Sequence, residues 1–271
     1  MKRPNAESAA PREWNAASYH RVATPHLSWG RAVLARLPTL GDETVIDAGC
    51  GTGRLTAELL EALPRGRVLA LDQSANMLAV AREYLTPRFG DRVSFHQVDL
   101  QTLALDQVAG AIFSTATFHW LPDHPRLFAN LRRALRPGGH LVAQCGGGPN
   151  LAALRTRANA LMASPPYAAA FAGWSGPWEF ADAPVTADRL RAAGFSEVET
   201  SLEAAPTVLP DAASYTEFLT SVIFGTHLAR LPDEPSRAAF IASLTSQAAS
   251  DDPPFSLDYW RLNLSGRRPT A

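Results

Sequence analysis

Residues 45–53 read VIDAGCGTG, an apolar run that passes through Asp47 into three alternating glycines. A short buried strand that runs into glycines is typical of a central strand in a parallel sheet. The glycines let the backbone bend tightly and let a ligand approach without meeting a β-carbon. Arg54 follows the last glycine, so the spacing is GxGxG, and the third glycine of the GxGxxG dinucleotide fingerprint is missing.

Apolar runs and helical patterns alternate on both sides of this glycine loop. Strands are predicted at 44–48, 67–71, 92–96, 109–116 and 140–144, and helices at 12–37, 54–63, from Ser74 onward and at 124–135. This alternation indicates a parallel sheet with helices on both faces.

Beyond residue 146 the pattern changes to segments rich in glycine, proline and alanine. One helix is predicted near 151–162, and a second is predicted to be capped by Thr186 and to end at Gly194. Extended segments are predicted at 197–208 and 255–264, with two helical stretches between them. We interpret residues 1–271 as a single domain that carries helical insertions at 147–184 and 210–254.

The composition excludes several functional classes. The 25 basic and 26 acidic side chains give a net charge of −1, which disfavours nucleic-acid binding because that function needs a basic surface. Lys2 is the only lysine, so a GxxxxGK[ST] phosphate loop is absent and no lysine is placed to form a Schiff base. Cys50 and Cys145 form no CxxC pair, and we expect no metal site.

The sequence also predicts the environment of the chain. The N-terminal residues contain no apolar core of a secretion signal, and no run of 18 apolar residues occurs. We therefore expect a cytoplasmic protein that does not bind membranes. Whether it is a monomer or a homodimer stays open.

Acidic residues follow two neighbouring predicted strands. Asp72 lies 19 residues after Gly53, where a carboxylate can accept hydrogen bonds from both hydroxyls of a ribose. Asp99 ends the next strand, where it could meet the amine of an adenine. Either aspartate alone could be a turn or capping residue. Together with the glycine loop, they favour nucleoside binding at the carboxyl edge of the sheet.

These segments resemble the motifs of a known family. VIDAGCGTG resembles motif I of class I S-adenosylmethionine-dependent methyltransferases, LDQSANM at 71–77 resembles the following motif, and VDL at 98–100 resembles the adenine motif. The stretch IFSTATFHWLPDH at 112–124, the early Trp14 and Tyr19, and the ending at 261–268 are similar to the trans-aconitate methyltransferase branch, also known as methyltransferase type 11. His119 departs from this branch, which usually carries a glutamine there.

The resemblance implies an α/β fold, the Rossmann-like three-layer sandwich of class I methyltransferases. Its seven-stranded, mostly parallel sheet has the order 3-2-1-4-5-7-6, the last strand is antiparallel, and helical insertions cap the active site. Residues 1–37 would form lid helices over the cofactor. In this order two sheet spacings, roughly 9–10 Å in total, separate Cys50 from Cys145. This distance exceeds the ~7 Å limit between the Cα atoms of a disulfide. We therefore predict two free thiols.

The resemblance also implies S-adenosyl-L-methionine as cofactor and S-adenosyl-L-homocysteine as product. The residues predicted to bind the cofactor are Tyr19, Asp47, Gly49, Cys50, Gly51, Gly53, Asp72, Gln73, Met77, Asp99, Leu100, Ser114 and Thr115. The residues predicted to contact the substrate are Trp14, His119, Trp120, Arg155 and Trp174. For the tryptophans, packing of the insertions onto the core is the alternative interpretation.

The predicted function is methyl transfer to a small-molecule acceptor by direct in-line displacement. The predicted accepting atom is an oxygen, either of a carboxylate or of a hydroxyl. A carboxylate needs cationic or hydrogen-bonding partners but no base, whereas a hydroxyl benefits from a base. His119 is the candidate catalytic residue, and local packing is the alternative role for it. The alternatives are a C- or N-methyltransferase of an apolar metabolite and a non-catalytic protein that binds the cofactor or acts as a scaffold.

Overall fold

A seven-stranded sheet runs through the part of the chain that the computed structural model describes, residues 24–39 and 41–270. Its strands are β1 (Thr44–Ala48), β2 (Arg67–Asp72), β3 (Val93–Gln97), β4 (Ala109–Thr115), β5 (Leu135–Gly146), β6 (Ser196–Ala204) and, last in the chain, β9 (Trp260–Arg267). Their order is β3-β2-β1-β4-β5-β9-β6, and β9 is antiparallel to both of its neighbours. The predicted sheet order and the antiparallel last strand are thus confirmed.

Two short strands, β7 (Thr207–Val208) and β8 (Ser256–Leu257), form a separate ribbon. The helices are α1 (Thr24–Leu34), α2 (Arg54–Ala62), α3 (Ala75–Phe89), α4 (His124–Ala134), α5 (Ala152–Met162), α6 (Ala168–Phe171), α7 (Ala183–Ala192), α8 (Ala212–Phe218), α9 (Gly225–Leu228) and α10 (Glu234–Ala248). A π-helix at Leu219–Ile223 joins α8 to α9.

Three apolar clusters hold these elements together. Helices α1, α2 and α3 bury their apolar side chains against one face of the sheet, and α4 and α7 cover the other face. The third cluster joins α5, α6 and the helices of 212–248, and we call this unit the cap. No helix in the described ranges is both long enough and apolar enough to cross a membrane.

Local chemistry explains where the helices begin. The Ser74 hydroxyl accepts a hydrogen bond from the Met77 amide at 3.2 Å, as predicted for the start of α3. Asp123 caps α4 in the same way by accepting from the Arg126 amide at 3.0 Å. In α4, Leu127 and Leu131 are buried one turn apart, which is the spacing that faces one side of a helix toward the core.

Two boundaries differ most from the predictions. Thr186 is buried inside α7 instead of capping it, because the helix already begins after Asp182 with Pro184 in its first turn, where proline is favoured. Strand β5 begins at Leu135 instead of at residue 140, because Leu135 pairs with Ala109 of β4. Cys50 and Cys145 are both free and buried, which confirms the predicted thiols.

Candidate active site

The glycine loop is fixed to the end of β2 by backbone hydrogen bonds. The amides of Gly49 and Cys50 both donate to the Leu71 carbonyl, at 2.8 and 2.9 Å. One carboxylate oxygen of Asp72 accepts from the Gly51 amide at 2.9 Å, and the other accepts from the Ser74 amide at 2.9 Å. These bonds hold Asp72, the acid predicted to bind a ribose, in a position directly beside the loop.

Two glycines of the loop serve different purposes. Both have a left-handed backbone, with φ of +86° at Gly49 and +55° at Gly51, which favours glycine. A β-carbon at Gly49 would collide with the Thr117 side chain, so Gly49 permits close packing. A β-carbon at Gly51 would have no atom of the described residues within 4 Å. Gly51 therefore forms an open cradle beside the Asp72 carboxylate, and the residues present fit an adenosyl group at this strand end.

Asp47 lies below the loop and is almost fully buried. Burial raises the pKa of its carboxyl from 3.8 to about 7, although the Thr56 hydroxyl, which donates to it at 2.7 Å, works in the opposite direction. The negative charge of Asp72 raises it further. Burial also raises the pKa of the Cys50 thiol well above its usual value, so Cys50 is a neutral packing residue in this structure.

The raised pKa of Asp47 makes a prediction about stability. Between pH 4 and 7 the folded state binds more protons than the unfolded state, so stability falls as the pH rises. The variant Asp47→Asn keeps an acceptor for Thr56. From pH 5 to pH 8, we expect its free energy of unfolding to rise by about 2–3 kcal/mol relative to that of the unmodified chain, at ~1.4 kcal/mol per pKa unit. Urea denaturation of both proteins without ligand would measure this gain. An equal stability difference at the two pH values would contradict the buried, protonated carboxyl.

The other predicted cofactor residues lie along the same strand ends, and several have local structural partners. The Asp99 carboxylate accepts from the Gln101 amide at 2.8 Å and caps a short turn, and Leu100 is buried in the core. The Ser114 hydroxyl donates to the Ala48 carbonyl at 2.6 Å and ties β4 to β1. The remaining ones lie beside these positions: Gly53 starts α2, Gln73 follows β2, Met77 is buried in the first turn of α3, and Thr115 ends β4. Tyr19 lies outside the described residues.

A cavity of about 430 Å³, including the part open to solvent, lies between the carboxyl edge of the sheet and the cap. Its walls come from the segment after β4, the segment after β5, the π-helix and the start of β9. The residues that line it are Ala116, His119, Trp120, Asn150, Leu151, Trp178, Phe180, Val222, Ile223, Tyr259 and Arg261. Among the described lining residues there is no carboxylate side chain.

His119 lies in this wall with a defined ring orientation. The Gly146 amide donates to its Nδ1 at 3.2 Å, and the His119 carbonyl accepts from the Glu179 amide at 2.9 Å. Because Nδ1 accepts a hydrogen bond, the neutral ring carries its proton on Nε2. His119 therefore presents the ring as a hydrogen-bond donor in this tautomer.

Arg261 is the one lysine or arginine among the described lining residues, and only 3% of it is exposed. Its Nε donates to the Gln144 side chain at 3.3 Å, and its guanidinium lies 4.6 Å from the centre of the Trp29 ring. Gln144 in turn donates to Asn263 at 2.8 Å. An arginine stays charged when buried, so the fold keeps a cation at the wall of this cavity.

Sequence analysis did not select Arg261 as a site residue. The available signal was an arginine between Trp260 and Leu262, in a strand where apolar and polar residues alternate. Because side chains alternate along a strand, Arg261 and Asn263 share one face while Leu262 is buried on the other. Arginine is rarely buried unless it is paired. An arginine at such a strand position is therefore a candidate site residue.

The predicted substrate residues divide into two groups. His119 and Trp120 line the cavity, whereas Arg155 and Trp174 do not. The Arg155 guanidinium lies over Phe180 at 5.2 Å, and it donates to the Asn150 carbonyl at 3.4 Å. The Trp174 ring contacts His227, Phe171 and Arg230 in the cap, with ring centres 4.7 Å apart for the first pair. Trp14 lies outside the described residues.

Comparison with known proteins identifies the family. A family model described as a methyltransferase domain matches residues 45–139. A trans-aconitate 2-methyltransferase from Methylobacterium nodulans is 34% identical over 194 residues, which cover 71% of this chain and 68% of that protein. One from Azoarcus sp. is 40% identical over 131 residues, 48% of this chain and 50% of that protein. The matched segment thus spans about half the length of the Azoarcus relative.

A solved structure agrees on the fold. Phosphoethanolamine N-methyltransferase 2 of Haemonchus contortus, solved in complex with phosphomonomethylethanolamine and S-adenosylhomocysteine, superimposes with a TM-score of 0.61. It is 17% identical, and the match covers 94% of this chain and 57% of that one. At this level of identity the likeness concerns the fold alone.

The chain therefore belongs to the class I S-adenosylmethionine-dependent methyltransferase family. Its branch of that family is the one whose members carry the name trans-aconitate 2-methyltransferase. The resemblance stated from the motifs is confirmed, and S-adenosyl-L-methionine is the cofactor of this family.

Proposed function

We propose that this protein transfers a methyl group from S-adenosyl-L-methionine to a carboxylate oxygen of a small molecule. The single observation that carries the choice of acceptor is the buried Arg261 at the cavity wall, since a buried cation stabilises an anion beside it. The names of the relatives support a carboxylic acid as well. An alignment of 194 residues is too short to contain both Gly49 and Arg261, so the similarity to this relative does not extend to both positions.

The bound cofactor would supply a methyl group that its sulfonium already activates. The remaining task of the protein is to hold a nucleophile in line with this methyl group, at roughly 3–3.5 Å. Gly51 and Asp72 are the residues proposed to seat the adenosyl part at the sheet edge. Arg261 would bind and orient the acceptor carboxylate, and the aromatic walls would exclude water.

No proton has to be removed from such an acceptor. Unperturbed carboxyl groups titrate near pH ~4, so the acceptor is already ionised at neutral pH. A hydroxyl acceptor would instead benefit from a base. The hydrogen bond from Gly146 to Nδ1 makes His119 a donor, which fits an anionic acceptor better than a hydroxyl that must lose its proton. We therefore assign His119 the role of hydrogen-bonding the acceptor.

Two variants of His119 separate a donor from a base. Glutamine offers a side-chain N–H donor but cannot accept a proton at neutral pH. We expect His119→Gln to keep kcat within about 10-fold of the unmodified chain, and His119→Ala to lose about 10- to 100-fold, in line with one hydrogen bond to a charged group at ~1.5–3 kcal/mol. Initial rates of S-adenosylhomocysteine release between pH 6 and pH 9 would measure both variants. A glutamine variant as inactive as the alanine variant would assign His119 the role of a base.

The test of the proposed function is the identity of the product. The protein is incubated with S-adenosyl-L-methionine carrying a labelled methyl group and with a panel of carboxylic acids and alcohols. We expect the label in methyl esters, which mild alkali hydrolyses to methanol. Label found only in alkali-stable ethers, amines or carbon-methylated products would contradict the proposal.

A further inference from the structure

Asn150 contributes a neutral polar side chain to the cavity wall. We infer that Asn150 binds the acceptor, and that its side-chain amide donates a hydrogen bond to an oxygen of the acceptor carboxylate. This inference rests on the proposed function, because it takes the acceptor to be a carboxylate. It holds whatever other partners Arg261 has, since the amide is uncharged and belongs to a different segment of the chain.

A hydrogen bond fixes the orientation of the Asn150 amide. Its Oδ1 accepts from the backbone amide of Trp260 at 2.8 Å. Because a backbone N–H can only donate, the oxygen and not the nitrogen faces Trp260. The bond therefore places Nδ2 at the other end of the amide, and it holds this donor in position before any ligand binds.

The Nδ2 end lies against Gly146, where strand β5 ends. A β-carbon on Gly146 would come within 2.7 Å of Nδ2, so a larger residue there would displace the amide. The backbone amide of Gly146 donates to Nδ1 of His119 at 3.2 Å. The same glycine thus adjoins both the Asn150 amide and the His119 ring, and both of these side chains line the cavity.

The Nδ2 donor has no protein acceptor in the described part of the chain. No residue of 24–39 or 41–270 accepts a hydrogen bond from it, and Asn150 is only 1% exposed. A donor with so little access to water costs free energy when it stays unbonded, and native structures contain few such groups. A carboxylate in the cavity would satisfy it, since a hydrogen bond to a charged oxygen is stronger than one to a neutral oxygen.

The alternative role of Asn150 is structural. Its bond to Trp260 joins the segment after β5 to β9, and this anchor alone would explain an asparagine here. Aspartate separates the two roles, because its carboxylate has nearly the same shape and still accepts from the Trp260 amide but donates nothing when ionised. Alanine removes the anchor and the donor together.

Kinetics of Asn150→Asp and Asn150→Ala test the inference. The probe is the carboxylic acid that the unmodified chain esterifies fastest, taken from a panel that includes trans-aconitic acid and cinnamic acid. At pH 9, about five units above the pKa of an ordinary aspartate, the introduced carboxyl is ionised. We expect kcat/KM to fall about 100-fold in Asn150→Asp and about 10-fold in Asn150→Ala, because the introduced charge also repels an anionic acceptor. The loss should lie mainly in KM, and the Kd for S-adenosylhomocysteine, measured by calorimetry, should stay the same.

Asn159 provides a control with the same substitution. It lies on α5, is exposed, and is not among the residues that line the cavity. We expect Asn159→Asp to leave kcat/KM within a factor of about three, because water and salt screen an exposed charge. A comparable loss in Asn159→Asp would mean that added negative charge, and not its position at Asn150, lowers the activity, which would overturn the inference.

The order of the two Asn150 variants decides between the roles. If Asn150→Asp were as active as the unmodified chain, or more active than Asn150→Ala, Asn150 would only anchor Trp260 and the inference would be wrong. If Asn150→Asp failed to fold, an unchanged KM in Asn150→Ala would equally overturn it, and a raised KM with an unchanged Kd for S-adenosylhomocysteine would support it. An unmodified chain that binds S-adenosylhomocysteine but esterifies no acid of the panel would overturn the proposed function instead, so the two failures are distinguishable.

Discussion

Replacing Arg261 with methionine should lower kcat/KM for a carboxylic acid by about 100- to 1000-fold, while the Kd for S-adenosylhomocysteine stays the same. Truncating one partner of a buried, hydrogen-bonded charge pair costs on the order of 2–5 kcal/mol, or about 30- to 5000-fold, and the expected loss lies within this range. Methionine retains much of the length and apolar character of the side chain, so the contact with Trp29 is partly preserved. The decrease in kcat/KM therefore measures the contribution of the charge more than that of the packing.

A second arginine of the same strand provides the control. Arg267 also lies on β9, but it is partly exposed and forms an ion pair with Glu197 at 3.1 Å at the far end of the strand. We expect Arg267→Met to leave kcat/KM within a factor of about three, because exposed ion pairs contribute roughly 0–1 kcal/mol. Steady-state kinetics of both variants with the same acid would measure the difference. Equal losses in the two variants would mean that Arg261 acts through the sheet and not on the acceptor.

Replacing Gly51 with asparagine should weaken S-adenosylhomocysteine binding by about 100-fold or more. A β-carbon at this position would lie in open space next to the amide that donates to Asp72, where the adenosyl group is proposed to lie. A side chain in a close-packed ligand site forces either the ligand or the loop to move, which costs several kcal/mol in well-packed sites. Calorimetry would measure the Kd.

Gly173 offers a control for the backbone. It also has a positive φ, +69°, and a β-carbon there would likewise meet no described atom within 4 Å. Asparagine tolerates a positive φ better than most residues, so we expect both variants to fold with a small loss of stability. We expect Gly173→Asn to bind S-adenosylhomocysteine like the unmodified chain. If both variants bound it equally well, the cradle would lie elsewhere.

The sheet and the glycine loop could be predicted because their signals are local. Alternating apolar runs fix the strands, and glycines at 49, 51 and 53 follow the first of them. Asp72 was likewise found from its spacing, since the end of a strand determines its position. The antiparallel last strand came from the family resemblance, because an extended segment near 260 carries no sign of its direction.

The acceptor cavity could be predicted only in part, because residues distant in the chain form it. Trp174 and Trp178 are four positions apart in an irregular segment without sequence periodicity. The sequence therefore does not indicate that Trp174 contacts the cap whereas Trp178 lines the cavity. Arg261 joins the site through the pairing of β9 with β5, a contact of tertiary structure. Leu100 is buried in the core, and its predicted contact with the cofactor stays a prediction.

The most direct test of the account is a crystal structure of the protein soaked with S-adenosylhomocysteine. We predict that both ribose hydroxyls lie within about 3 Å of the Asp72 carboxylate oxygens and that the sulfur faces the cavity lined by His119 and Arg261. A ligand bound away from Gly51, or with its sulfur directed away from Arg261, would contradict the account.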